Sequence, residues 1–317
     1  MNVDYKKLRI YVVCGGVSSE REVSIESGKA VAYALTDYGY TDVSIFYLEE
    51  NNLQKLIEQK PDLVYLALHG KGGEDGTIQG ALDLAGIKYT GPGVAASAMC
   101  MDKILTKYVL KANNIPTAAF IVVNKFDFKS LDDIAQYILK AFNLPVVVKA
   151  PNQGSSIGVH IVKKSEDLLS AIEDVFNYST NLLAEEYING KEVTLPIIGN
   201  EELEFLPDVE IVSENEFYDF ASKYSKGMSH HIIPSRISDE SRQQMLAIGE
   251  KTYRTLGCKG ISRIDFLVSD TRGPVVLEVN TSPGMTAMSL FPDAASRVGI
   301  VFGELVEKVI GLAMNDE

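Results

Sequence analysis

The sequence predicts an N-terminal α/β domain built on a parallel sheet, followed by two further units of α+β type. Three observations carry this. Up to about residue 95, short β-branched runs alternate with amphipathic stretches, the pattern of strands joined by crossover helices. The alternation then breaks at Gly91-Pro92-Gly93. Near the C-terminus, residues 261–268 and 274–279 read as two apolar strands either side of Ser269-Asp270-Thr271-Arg272-Gly273, a hairpin.

In chain order, residues 8–14, 43–47 and 63–68 are apolar and short enough for strands, and residues 23–35 and 53–59 have helical spacing. A single helix is expected over residues 95–112. In the second unit, residues 144–149 form a strand and residues 131–142 and 166–176 form helices. The third unit is mixed, ending in the hairpin and a helix over residues 300–314. The expected boundaries are 1–96, 97–185 and 186–317.

A chain of 317 residues can bury a substantial core, and 46% apolar with 23% charged residues is the balance of a soluble globular protein. A formal charge of −13 disfavours nucleic acid and anionic membranes as partners. An anionic substrate would need local Lys and Arg residues to hold it. Cys14, Cys100 and Cys258 are scattered and lack metal-ligand spacing, as free thiols in a reducing compartment would be. No stretch reaches 18 apolar residues and the start has no adequate apolar leader core, so a cytoplasmic protein is expected.

A hairpin centred between Thr271 and Arg272 sets Asp265 opposite Glu278 and Arg263 opposite Asn280. Residues two apart on a strand share a face, so the four polar groups project to one side. Two carboxylates about 4 Å apart repel by about 4 kcal/mol at an effective dielectric of 20. A cation between them is therefore expected. Two carboxylates and an amide make an oxygen-only set that suits Mg²⁺. The bland reading is a solvated hairpin face, against which stand Arg263 on the same face and the Thr281-Ser282-Pro283-Gly284-Met285 run that follows.

Several loops could carry chemistry. The turn from Cys14 to Glu22 ends a strand at the carboxyl edge of the predicted sheet, where ligands of open α/β sheets bind. It lacks the dinucleotide fingerprint G-x-G-x-x-G, which disfavours a Rossmann dehydrogenase. Ser19 and Glu22 have capping-box spacing, which leaves Glu20 either a surface acid or a binder of amines. His69 and the glycines after it end a strand at the same edge, and His69 is either structural or functional. Lys149 enters the small-residue loop Ala150–Gly158, a possible phosphate cradle but not a Walker A loop. Lys103 sits in a helical stretch, where an exposed lysine is the default. Glu185, Glu186 and Ile188 close a short strand before Glu192, and could solvate an edge or meet ribose and adenine. The aromatic segment from Phe217 to Tyr224 is either packing or a lid.

Taken together these segments resemble the D-alanine–D-alanine ligases of the ATP-grasp superfamily over nearly the whole chain. The resemblance rests on Gly15-Gly16-Val17-Ser18-Ser19-Glu20-Arg21-Glu22, Leu68-His69-Gly70, Gly73-Glu74-Asp75-Gly76-Thr77, Met101-Asp102-Lys103, Gly154-Ser155-Ser156-Ile157-Gly158, Lys223-Tyr224 and the run from Leu277 to Thr286. It implies an ATP-grasp pair of domains after the N-terminal one, with ATP between them. Lys103 and Lys149 would meet its phosphates, and Glu185, Glu186, Ile188 and Glu192 its adenosine. Asp265, Glu278 and Asn280 would hold two Mg²⁺ ions, with Mn²⁺ as a substitute. Glu20 would bind the first D-alanine's ammonium, networked with Ser155 and Tyr224. His69 would line the substrate site. Arg263 and the Gly284 N–H would stabilise a tetrahedral oxyanion, and Ser289 and Leu290 would meet the second D-alanine. A homodimer is implied by resemblance alone.

Rival readings are a D-alanyl-D-lactate or D-alanyl-D-serine enzyme, another carboxylate–amine ligase, and a silent nucleotide-binding protein. Tyr224 and Leu290 favour the dipeptide, and plain nucleotide binding has no need of Glu20 or Arg263. Two departures stand out. Pro196 interrupts an expected strand, which should therefore lie at an edge or bend. The run from Ser229 to Arg236 replaces a common Pro-Ala continuation.

Overall fold

The structure, a computed structural model, describes residues 4–154, 156–213, 229–286 and 288–316. The chain starts with β1 (Arg9–Gly15), α1 (Arg21–Asp37), β2 (Asp42–Leu48), α2 (Leu53–Glu58), β3 (Leu63–Leu66), α3 (Thr77–Ala85) and β4 (Lys88–Tyr89). These strands form one sheet in the order β2-β1-β3-β4, every neighbouring pair parallel. All four residues of β3 are buried, which is why the strand reads as an unbroken apolar run. A side chain at Gly28 of α1 would fall 2.5 Å from the Cys14 Cβ, so the helix lies directly on β1. The Ser19–Glu22 capping box is not formed. Glu20 caps α1 without a side-chain bond, and Glu22 pairs with Arg21. The working hydroxyl of this turn is that of Ser18, which donates to the His69 carbonyl at 2.7 Å.

The expected helix over residues 95–112 is two helices, α4 (Val94–Met101) and α5 (Lys103–Ala112). Asp102 breaks it with φ −92 and ψ 105, and its carboxylate accepts the Ile104 and Leu105 amides at 2.8 and 3.2 Å. Short acidic side chains compete for backbone amides in this way, and favour a new helix start. Next come β5 (Phe120–Asn124), α6 (Leu131–Ala141), β6 (Val146–Lys149), β7 (Val159–Val162), α7 (Leu168–Tyr178) and β8 (Asn181–Glu186). The sheet runs β5-β8-β6-β7 and is antiparallel throughout. Ile134, Ile138, Ile172 and Val175 of the two helices bury against Val146, Val148, Leu182 and Ala184.

The remainder comprises β9 (Lys191–Gly199), β10 (Leu203–Phe205), β11 (Val209–Ser213), β12 (Ser229–Ile232), α8 (Asp239–Leu256), β13 (Ile261–Ser269), β14 (Gly273–Asn280), α9 (Leu290–Arg297) and α10 (Phe302–Met314). The sheet order is β12-β11-β9-β13-β14, with β10 also on β9. The strand with Pro196 is therefore central, not at an edge. β11 pairs with Glu192, Val193 and Thr194, while β10 pairs with Ile197, Ile198 and Gly199. Pro196 falls in the gap between them, where its missing N–H costs no ladder bond, and its carbonyl accepts the Leu206 amide at 3.1 Å.

The last helix returns to the first sheet. Leu305, Val306 and Val309 of α10 share a core with Val31 and Leu35 of α1 and with Ile10. Leu290 and Phe291 of α9 join the same core, which fixes the start of α9 against the N-terminal sheet. No described helix is long and apolar enough to cross a membrane.

Candidate active site

Across β13 and β14, Arg263 pairs with Asn280 and Asp265 with Glu278. The register then shifts by one residue after Asp265, so the expected pairing holds at the acidic end and not beside the turn. Burial makes the charge balance strict. Asp265 is 3% exposed, and Arg263 grips it with Nε 2.9 Å from Oδ1 and Nη2 3.0 Å from Oδ2. The Thr194 hydroxyl on β9 donates to the same carboxylate. Opposite, Lys103 Nζ lies 3.2 Å from Glu278 Oε2 and donates to the Gln153 carbonyl at 2.8 Å. Among the described residues, Arg263 offsets Asp265 and Lys103 offsets Glu278. Asn280 Oδ1 accepts the Ser282 amide at 3.1 Å. Two carboxylates and one amide oxygen on a single face form a hard donor set that fits Mg²⁺.

This face opens on a cavity of about 590 Å³, a size suited to small ligands. Glu20, His69, Lys103, Arg263, Glu278, Asn280, Gly284, Ser289 and Leu290 all line it. Folding therefore gathers residues from β-edge loops of the first sheet, the start of α5, the hairpin and the start of α9. The fit around Glu20 is close. A Cβ at Gly154 would sit 2.7 Å from Glu20 Oε2, so the loop after β6 abuts the first turn through a glycine. His69 is buried with Nε2 3.2 Å from the Ser27 hydroxyl, which also accepts the Met285 amide. Burial pushes the His69 imidazole below its ordinary pKa, against the pull of Glu20. The same burial disfavours a positive charge on His69 beside Arg263. Ser289 Oγ accepts the Thr286 amide at 3.0 Å, which shapes the loop around Gly284.

A second group lies beyond this cavity. Lys149, at the end of β6, is 3% exposed and its Nζ is 2.8 Å from Glu185 Oε1 on β8. Glu186, one residue on, faces away to Arg272 at 2.6 Å and accepts the Ala119 amide. Ile188 is buried with Ala118 and Val275. Glu192, the second residue of β9, pairs with Leu267. Ser155 and Tyr224 lie outside the described residues.

Two charged residues at these sites escape sequence reasoning. Glu74 lines the large cavity, and its Oε2 accepts the Gly70 amide at 2.6 Å. Burial, reinforced by the nearby Glu20 charge, pushes its pKa up to about 8. Lys107, one turn after Lys103, is 1% exposed and meets Glu185 at 3.2 Å. Its place among apolar neighbours four residues from Lys103 was the available signal.

Comparison with known proteins decides the family. A family model described as "D-ala D-ala ligase C-terminus" matches residues 109–311, and its N-terminal counterpart matches residues 48–92. The D-alanine–D-alanine ligase of Carboxydothermus hydrogenoformans is 46% identical over 308 residues, covering 97% of this chain and 98% of that protein. The corresponding ligase of Desulforamulus reducens is 47% identical over 309 residues, with coverage of 97% and 99%.

The chain belongs to the D-alanine–D-alanine ligase family.

Solved structures agree with this D-alanine–D-alanine ligase assignment. The crystal structure of the Bacillus anthracis ligase superposes with a TM-score of 0.83 at 35% identity, covering 97% of both chains. The same ligase complexed with ATP gives 0.81 at 34% identity, again over 97% of each chain. The architecture is thus that of an ATP-grasp ligase, and the first turn, the His-Gly loop and the Asn-Thr-Ser-Pro-Gly-Met run belong to one site in it.

Proposed function

We propose that the protein joins two D-alanine molecules, using ATP and passing through D-alanyl phosphate, to give D-alanyl-D-alanine for peptidoglycan precursors. The observation that carries this reading is the convergence of Glu20, Arg263, Glu278, Asn280 and Ser289 on one cavity. A nucleotide-binding protein without ligase chemistry has no use for an amine-binding acid and an oxyanion donor beside a phosphate-type site.

A carboxylate is a poor electrophile, so activation must come first. Lys103 and Lys149 would hold the polyphosphate, and Glu185, Glu186, Ile188 and Glu192 would border the adenosine. Asp265, Glu278 and Asn280 would hold Mg²⁺, which supplies charge neutralisation for phosphoryl transfer when bound. Glu20 would bind the ammonium of the first D-alanine and present its carboxylate toward the nucleotide. The second D-alanine, held near Ser289 and Leu290, would attack the acyl carbon with its amine; the C–N bond forms as the C–O bond to phosphate breaks, and phosphate and the amine's proton are released. Arg263 and the Gly284 N–H would then steady the oxyanion. Water must stay out or the acyl phosphate is lost, a task suited to the loop at Gly154 and, by resemblance, to Ser155 and Tyr224. The domain division 1–96, 97–185 and 186–317 would place ATP between the second and third units, in a homodimer.

The test is product analysis with ATP, Mg²⁺ and a panel of D-amino and D-hydroxy acids. Phosphate release that requires D-alanine, with D-alanyl-D-alanine as the main product, is expected. Phosphate release indifferent to D-alanine would sink the reading.

A further inference from the structure

Lys103 and Lys107 lie one turn apart on α5, and each reaches a carboxylate on a different sheet. Lys103 meets Glu278 on β14, whereas Lys107 meets Glu185 on β8. The Lys107 ammonium also donates to the Thr117 hydroxyl at 2.7 Å and the Ala118 carbonyl at 3.2 Å. Thr117 in turn donates to the Val276 carbonyl of β14. Lys107 therefore stands at the seam of the two sheets.

Among the described residues, the charge count at this seam is uneven. Glu185 Oε1 faces Lys107 Nζ at 3.2 Å and Lys149 Nζ at 2.8 Å, so two ammonium groups share one carboxylate oxygen. All three residues are nearly inaccessible, at 1%, 3% and 2% for Lys107, Lys149 and Glu185. The oxygen lies at ion-pair distance from both cations, yet at angles that make no directed hydrogen bond. It can still accept a donor. A buried cation beyond the one a carboxylate offsets costs several kcal/mol, and an apolar side chain would serve packing better. A chain with a formal charge of −13 keeps this extra positive charge at the position where an anion is expected to bind.

We propose that Lys107 is a positioning residue for the nucleotide: it shares Glu185 with Lys149, leaving Lys149 free to engage phosphate and holding Glu185 for the base. This rests on the reading of Lys149 and Glu185 as nucleotide contacts. Without Lys107, Glu185 and Lys149 would neutralise each other and the phosphate site would lose its net charge.

A pH dependence follows. Lys107 faces Glu185 and Glu186 of β8, Lys149 of β6 and the Phe120 ring of β5 at 5.3 Å. Burial pushes its pKa down to about 8, against the pull of Glu185, and Lys149 adds to the lowering. A bound polyphosphate favours the charged form, so above that pH binding must take up a proton and affinity falls. Uptake of one proton weakens binding by up to about tenfold per pH unit.

The experiment measures ATP·Mg²⁺ binding to the full-length protein without D-alanine between pH 7 and 9.5. Wild type should lose at least about fivefold in affinity across that range. Lys107→Arg, whose guanidinium stays charged, should lose most of that slope. Lys107→Met should bind at least about tenfold more weakly at pH 7.5, with the KM for D-alanine little changed. If wild type binds ATP but Lys107→Met matches it, or Lys107→Arg keeps the full slope, the inference is overturned while the nucleotide reading stands. Should Lys107→Met not fold, the slope of Lys107→Arg decides. A wild-type protein that binds no ATP overturns the nucleotide reading and this inference with it.

Discussion

Lys103 Nζ lies 3.2 Å from Glu278 Oε2, joining the first residue of α5 to the carboxylate that faces Asp265 across the hairpin. The contact depends on the break at Asp102, since a continuous helix would direct Lys103 differently. It also makes Glu278 the meeting point of Lys103, proposed above for phosphate, and an oxygen set suited to a metal.

Replacement of Glu278 by Gln keeps shape and removes one negative charge. Turnover should fall by about 100-fold or more, equivalent to about 2.7 kcal/mol of lost stabilisation, while the circular dichroism spectrum is unchanged. Rates measured across a Mg²⁺ titration check this. Wild-type activity at limiting Mg²⁺ would remove Glu278 from the metal site.

Arg263→Lys keeps the charge but loses the planar fork now seen on Asp265. The kcat should fall by at least about tenfold with ATP affinity little changed, because directed bonds to the tetrahedral centre are lost. A collapse of ATP affinity with kcat intact would instead assign Arg263 to the phosphates.

Gly154→Ala introduces a methyl 2.7 Å from Glu20 Oε2. The carboxylate is the far end of a flexible side chain and can move aside, so the melting temperature should shift little. Moving it should raise the KM of the first D-alanine several-fold, about 1 kcal/mol of binding. Unchanged kinetics would mean that Glu20 does not need its present position.

Glu74 gives the stability a pH dependence. Its folded pKa of about 8 lies above the ordinary 4.5, so the folded chain holds a proton that the unfolded chain releases between those values. The associated stability is full below pH 4.5 and is lost as pH rises to about 8. Glu74→Gln cannot ionise and should flatten this decline, raising the melting temperature at pH 8 by at least about 2 °C. Parallel melting-temperature profiles for the two proteins would contradict the assignment.

The sequence by itself determined the alternating first sheet, the hairpin, and the pairing of Asp265 with Glu278 and of Arg263 with Asn280. These are local facts, set by strand period and turn length, and both can be counted along the chain. It also supplied the family resemblance through short runs whose residues sit close together. The tertiary structure alone decided what those residues touch. Lys103 had an exposed helix lysine as its default reading, and Lys107 had no reading at all, until α5 was seated between two sheets. Glu74 was one acid in a loop until burial beside Glu20 held its proton. Cys100 and Cys258, 158 residues apart, come within 4.0 Å. Pro196 proved central because its neighbours leave a gap where its N–H would point. In each case the deciding quantity is burial, a charge or a neighbour contributed by a distant segment, and none of these has a period that can be read along the chain.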